Sequence, residues 1–270
     1  MLVSSLASLH DSEQAMKDKD YWFLLRGLAR ENGHWHDVLP MLREHYPHSE
    51  FHCLDQPGCG QRYQQRSPWH IDQTVEILRT EYLAHKREAR KCYIVGLSLG
   101  GMIAVAWATK YPEDFYGCVL INTSMPGINA RFDRLRPQAL LAMLKSFIYL
   151  GNTAKREQQL LNLVSNYQHT RERLLPSWVA IQRQRKVRAA NYLRMLYSAT
   201  TFKAPQQAPF AQTLILKARH DRLINARCSD QIQAVWQVPL AEHPTAGHDL
   251  TSDEPSWVLE QIVAWRSKHP

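Results

Sequence analysis

Residues Cys92–Pro112 read CYIVGLSLGGMIAVAWATKYP. A β-branched and aromatic run, Tyr93-Ile94-Val95, meets Gly96-Leu97-Ser98-Leu99-Gly100, and an apolar, Ala-rich run follows up to Tyr111 and Pro112. The first part predicts a buried strand, the last a helix closed by proline. Between them lies one polar residue with glycine two positions to either side. A strand-to-helix turn tight enough to expose a serine brings neighbouring backbone close, and glycine tolerates both the proximity and the unusual angles. This Gly-x-Ser-x-Gly pattern predicts a nucleophile elbow centred on Ser98. The N-terminus of the following helix offers N–H groups and a positive dipole end to a developing oxyanion.

The same alternation extends outward. Tyr21–Leu25 (YWFLL) predicts a buried strand, and residues 35–46 carry helical periodicity. Residues 50–62 (EFHCLDQPGCGQR) read as a strand ending in a turn rich in Pro and Gly, followed by a helix over residues 70–89. Strands recur at residues 117–124, 212–221 and 238–249, and residues 256–268 close the chain as an amphipathic helix. Alternating β and α elements imply an α/β fold, a mostly parallel sheet covered by helices on both faces. Residues 129–208 show helical patterns only. They predict a helical, lid-like insertion into a core made of residues 1–128 and 209–270.

Composition narrows the classes. In 270 residues, 44% are hydrophobic and 21% charged, which is ordinary globular usage. No apolar run reaches the length of a membrane span. Residues 1–14 lack a basic and apolar leader pattern, so no signal peptide is expected and the cytoplasm is the expected compartment. The five scattered cysteines predict reduced, packed thiols rather than a disulfide frame or a metal site. The net charge of +8 is concentrated in the insertion, which holds 14 Lys/Arg against 3 Asp/Glu. That basic segment fits either a solvated helix face or an apolar slot ringed by positive charge. The slot would suit an acyl group on an acidic carrier, coenzyme A, a phosphate ester or an anionic membrane. Nucleic acid is not an expected partner, because the usual reader motifs are missing.

A serine needs a base. On such an elbow the partners follow in the order acid, then histidine. Asp221 stands just past the strand TLILKA, and His248 lies in the Gly-containing loop after the last strand. Asp221 would orient the imidazole; His248 would act as base, then acid. His220 and His243 are the rival histidines, the first on the wrong element for the chain order and the second still within a strand. Asp249 and Asp253 read as helix-capping or surface groups.

These residues, with the Asp55–Gly60 turn (DQPGCG), resemble the α/β-hydrolase superfamily, and the similarity spans nearly the whole chain. It is similar to the small esterases with a helical lid. The resemblance implies Ser98 as nucleophile, Asp221 as acid and His248 as base. It also implies an oxyanion hole from the backbone N–H groups of Leu28 and Leu99, with no cofactor and no metal. Where the family usually has His-Gly, this chain has Arg26-Gly27. Arg26 would organise the loop, contact a substrate anion, or snorkel to the surface. The expected function is a carboxylesterase-like serine hydrolase acting on carboxylic esters or thioesters. Alternatives are lyase or acyltransferase chemistry on the same triad, and a non-catalytic binding protein on the same fold.

Overall fold

The computed structural model describes residues 19–86, 91–149, 151–210 and 212–269, with backbone alone at 144–148. The leader reading of residues 1–14 and the helical reading of residues 87–89 lie outside the described residues. The expected alternation is present. Six strands, β1 (Asp20–Leu25), β2 (Glu50–Cys53), β3 (Lys91–Leu97), β4 (Gly117–Ile121), β5 (Gln212–Ala218) and β6 (Leu240–His243), form one sheet in the order β2-β1-β3-β4-β5-β6. Every neighbouring pair is parallel. The register aligns Leu25 with Gly96, Leu97 with Ile121 and Ala218 with His243. The carboxyl ends of five strands therefore share one edge, which is where open parallel sheets place their ligands.

A parallel sheet is buried on both faces, so its strands are apolar throughout and alternate residues feed two cores. In β1, Tyr21, Phe23 and Leu25 join one core and Trp22 and Leu24 the other. The first core takes α2 (Ile71–His85), α3 (Leu99–Lys110) and α8 (Arg227–Trp236), through Leu78, Tyr82, Trp107 and Ile232. The second takes α1 (Val38–His45) and α10 (Pro255–Ser267), through Val38, Leu42, Val258 and Ile262. Trp22 stacks on Tyr93 with ring centroids 4.5 Å apart. Each such buried ring contributes on the order of 2 kcal/mol by area alone. The five cysteines are free thiols, four of them buried.

Between β4 and β5 the chain forms α4 (Pro137–Ile148), α5 (Thr153–Val164), α6 (Gln168–Gln184) and α7 (Ala189–Thr201). This basic segment is held to the core by ion pairs of both polarities. Arg173 meets Asp37 at 2.7 Å, Arg185 pairs with Glu31, and Glu157 receives Arg30 at 2.9 Å. Trp178 donates its indole N–H to His36 Nε2 at 2.9 Å. Two of the segment's 14 basic residues are matched by core acids at this contact. The short α9 (Leu250–Asp253) follows the last loop. Among the described residues no helix is long and apolar enough to cross a membrane.

Candidate active site

Ser98 ends β3 and caps α3 with φ 57° and ψ −118°, a left-handed region that a serine adopts only under constraint. The constraint is visible in its neighbours. A Cβ on Gly96 would lie 2.6 Å from the Gly100 carbonyl oxygen, and one on Gly100 would lie 2.2 Å from the Leu25 carbonyl oxygen. The helix thus packs directly on the backbone of β1 and β3. Ser98 N–H donates to Ile121 O at 2.8 Å, and Thr123 Oγ1 donates to Ser98 O at 2.8 Å.

Asp221 and His248 come together from separate strand ends. Asp221 Oδ2 lies 2.6 Å from His248 Nδ1, and both side chains are almost fully buried. Asp221 Oδ1 accepts the backbone N–H groups of Leu223 at 2.7 Å and Ile224 at 2.9 Å. One carboxylate oxygen is therefore committed to the backbone, and the other faces the imidazole. That arrangement favours the tautomer with its proton on Nδ1 and a free lone pair on Nε2. Asn122, in a left-handed conformation (φ 44°), donates Nδ2–H to His248 O at 2.8 Å and accepts Ala218 N–H at 2.8 Å. It ties the ends of β4 and β5 to the histidine loop. The rivals lie elsewhere: His220 is exposed, and His243 ends β6 accepting Ala246 N–H at 3.1 Å.

Ser98 and His248 line one cavity of about 950 Å³, part of it open to solvent. Leu28, the residue after Gly27, lines it too, while Leu99 lines a second cavity that shares Leu28, Ser98, Met143 and Leu223. Helices α4–α7 supply much of the first cavity's wall, including Leu160, Leu163, Trp178 and Tyr192. A serine and a histidine paired to a carboxylate, both lining an apolar cavity, form an arrangement suited to acyl transfer.

Residues 23–261 match the family described as "Alpha/beta hydrolase family". The chain belongs to the α/β-hydrolase family. It is 26% identical over 106 residues to the pimeloyl-[acyl-carrier protein] methyl ester esterase of Aeromonas hydrophila, a match covering 37% of each chain. It is 32% identical over 128 residues to an AB hydrolase superfamily protein of Gibberella zeae, covering 47% of this chain and 40% of that one. The chain thus aligns with less than half the length of these curated relatives. Its fold is similar to a 2-hydroxy-6-oxo-6-phenylhexa-2,4-dienoate hydrolase from a Rhodococcus species, with TM-score 0.71, 19% identity and 92% and 91% of the two chains covered. It is also similar to a serine hydrolase of Cycloclasticus zankles, with TM-score 0.71, 17% identity and coverage of 92% and 90%.

Within this α/β-hydrolase fold, several side chains differ from their sequence readings. Arg26 does not snorkel to the surface. It is buried, with Nη2 2.5 Å from Asp249 Oδ2, Nη1 donating to Thr251 Oγ1 at 2.8 Å, and the guanidinium 5.1 Å from the centre of the Trp35 ring. Its carbonyl accepts Gln56 Nε2–H at 2.7 Å, so the side chain and backbone both organise the loop carrying Leu28. Its charge is already met by Asp249. Burial pushes the Asp249 carboxyl up, but Arg26 outweighs this and holds it below the ordinary carboxylate value. Asp249 is therefore not a surface group: it stands at the N-cap position of the helix Leu250–Asp253, but its carboxylate is buried on Arg26 and makes no cap hydrogen bond. Asp253 is likewise buried: it accepts Ser165 Oγ–H at 2.5 Å, Asn166 N–H at 2.9 Å and Gly247 N–H at 2.8 Å, joining the histidine loop to the α5–α6 corner. Sequence reasoning also passed over Arg30, Arg156 and Glu157, which line the cavity together. The only local signal was Glu157, one of three acids in a basic segment. Among the described residues no group of His, Cys, Asp and Glu side chains is arranged to hold a metal.

Proposed function

We propose that this protein is a serine esterase that cleaves carboxylic esters or thioesters through an acyl-enzyme on Ser98. The observation that carries the reading is the 2.6 Å contact between His248 and an Asp221 already saturated by two backbone N–H groups, beside a strained serine in the same cavity. His248 Nε2 takes the Ser98 proton as Oγ attacks the acyl carbonyl. The tetrahedral oxyanion is held by the N–H groups of Leu28 and Leu99; Leu99 opens α3, where the first N–H groups have no intrahelical acceptor. Collapse expels the alcohol or thiol, which takes its proton from His248. Water then adds to the acyl-enzyme with His248 as base, and the carboxylic acid leaves as Ser98 regains its proton. Asp221 stabilises the imidazolium at both stages. Helices α4–α7 serve as the lid, supported by their share of the cavity wall and by their ion pairs with the core.

A fluorophosphonate probe tests this directly. Labelling of the native protein that disappears in Ser98→Ala, together with loss of ester turnover by several orders of magnitude, is the expected result. Comparable turnover in that variant would remove Ser98 from the mechanism.

A further inference from the structure

We infer that the end of the Ser98 cavity remote from His248 is an anion subsite built by Arg30 and Arg156, and that the preferred ester carries a carboxylate at the far end of its acyl chain. This rests on the esterase reading above and names its substrate class.

The distance follows from α5. Its last residue, Val164, accepts Asp249 N–H at 2.8 Å, so this end of the helix abuts the histidine loop. Val164, Leu160 and Arg156 are spaced four apart, share one helix face and all line the cavity. At 1.5 Å per residue, Arg156 lies about 12 Å along the axis from the Val164 end. Between the two ends the wall is largely apolar, with Leu160, Leu163, Met143 and Val187.

The charge at the Arg30–Arg156 end is unbalanced. Glu157 receives Arg30 Nη1 on Oε2 at 2.9 Å and Arg156 Nε on Oε1 at 3.1 Å, so one carboxylate serves two guanidiniums. Arg156 Nη2 also donates to Gln182 Oε1 at 2.9 Å, which carries no charge. The other lining ions, Arg26 and Asp249, cancel each other. Tyr192 nearby stays neutral, because burial pushes its hydroxyl up to about 12. The cavity lining thus holds one more cation than anion. The side chains concerned are only 12% (Arg30), 10% (Arg156) and 1% (Glu157) exposed, so water screens that excess poorly. Arg30 is stacked over Trp178 at 4.1 Å, which fixes its plane. Arg30 and Arg156 both line the cavity, so their guanidinium groups border its space. A carboxylate there would receive guanidinium N–H groups in the fork geometry that arginine presents. A plain alkyl chain would bring only methylene groups to the same charge.

Mono-p-nitrophenyl suberate and its ω-methyl ester test the subsite, since they differ only in the charge at the far end. The wild-type protein should favour the free carboxylate at least tenfold in kcat/KM, with the gain in KM. In Arg156→Gln that ratio should fall at least tenfold, whereas Glu157→Gln, which adds net positive charge, should raise it. A wild-type ratio of one or less overturns the inference without any variant, and so does an unchanged ratio in folded Arg156→Gln. Calorimetry on Ser98→Ala reads binding of the two esters apart from chemistry. Tighter binding of the carboxylate without fluorophosphonate labelling or turnover would sink the esterase reading and leave the subsite standing. Labelling and turnover of both esters with no preference would sink the subsite alone.

Discussion

Replacing Asp221 with asparagine is expected to disable the protein without unfolding it, and the structure says how. Oδ1 of Asp221 accepts two backbone N–H groups, from Leu223 and Ile224. In Asp221→Asn the amide oxygen must keep that position, because the amide nitrogen would leave both donors unsatisfied at about 1–3 kcal/mol each. The Nδ2–H group then faces His248 Nδ1, where Asp221 Oδ2 sits at 2.6 Å in the native protein. An N–H donor there forces Nδ1 to accept and moves the imidazole proton to Nε2, the nitrogen that must take the Ser98 proton. The variant also removes the charge that stabilises the imidazolium. Two unit charges about 4 Å apart attract by about 4 kcal/mol at the effective dielectric of a protein site, or roughly a thousandfold in rate. Tautomer and charge together predict a fall in kcat of about 10³–10⁴. The assay is steady-state hydrolysis of a p-nitrophenyl ester beside fluorophosphonate labelling rates, with urea unfolding as the control. Activity within tenfold of the native protein, at an unchanged unfolding midpoint, would refute the assigned roles of Asp221 and His248.

Two further outcomes are expected. In Gly100→Ala the new methyl would sit 2.2 Å from the Leu25 backbone oxygen, so α3 must part from β1. A loss of about 1–3 kcal/mol in urea unfolding, with a slower Ser98 reaction, is the expected cost; an unchanged midpoint would mean the elbow is looser than its contacts imply. His36 accepts the Trp178 indole N–H on Nε2, and burial, with Arg26 adding to it, lowers its pKa from 6.5 to about 4. The buried His34 is pushed well down for the same first reason. The unfolded chain takes up these protons more readily. Stability is therefore complete above about pH 6.5 and is lost as the pH falls toward 4, by up to about 3 kcal/mol from His36. His36→Gln keeps an acceptor for Trp178 and should flatten that part of the decline; parallel stability curves for the two proteins over this range would count against the assignment.

The parts of the molecule that follow from local chemistry were legible in the sequence. Six strands, their parallel order of use and the elbow follow from apolar runs, helical spacing and paired glycines around Ser98. Asp221 and His248 were singled out because each follows a strand in the required chain order. What escaped depends on packing between distant segments. Whether Asp249 and Asp253 face water is decided by Arg26, 223 positions before the first, and by the α5–α6 corner over the second. Arg26 had three readings because a single arginine in a loop carries no record of the carboxylate waiting for it. Arg30, Arg156, Glu157 and Trp178 form a cluster only when the helical segment folds back over the end of β1, and no periodicity marks them as neighbours.

The staple at Asp253 has a mechanical corollary. One carboxylate grips both Gly247, the residue before the imidazole, and the corner where α5 turns into α6, while Val164 and Asp249 are joined a few ångströms away. A swing of that corner would carry Gly247 and Asp249, and His248 between them, along with it. Under the esterase reading, entry and exit of a bulky ester are expected around α4 and α7, where Phe132, Leu140, Leu141 and Leu193 are exposed. Under that reading, the cavity wall is fastened on the side of His248 and less tied down around α4 and α7.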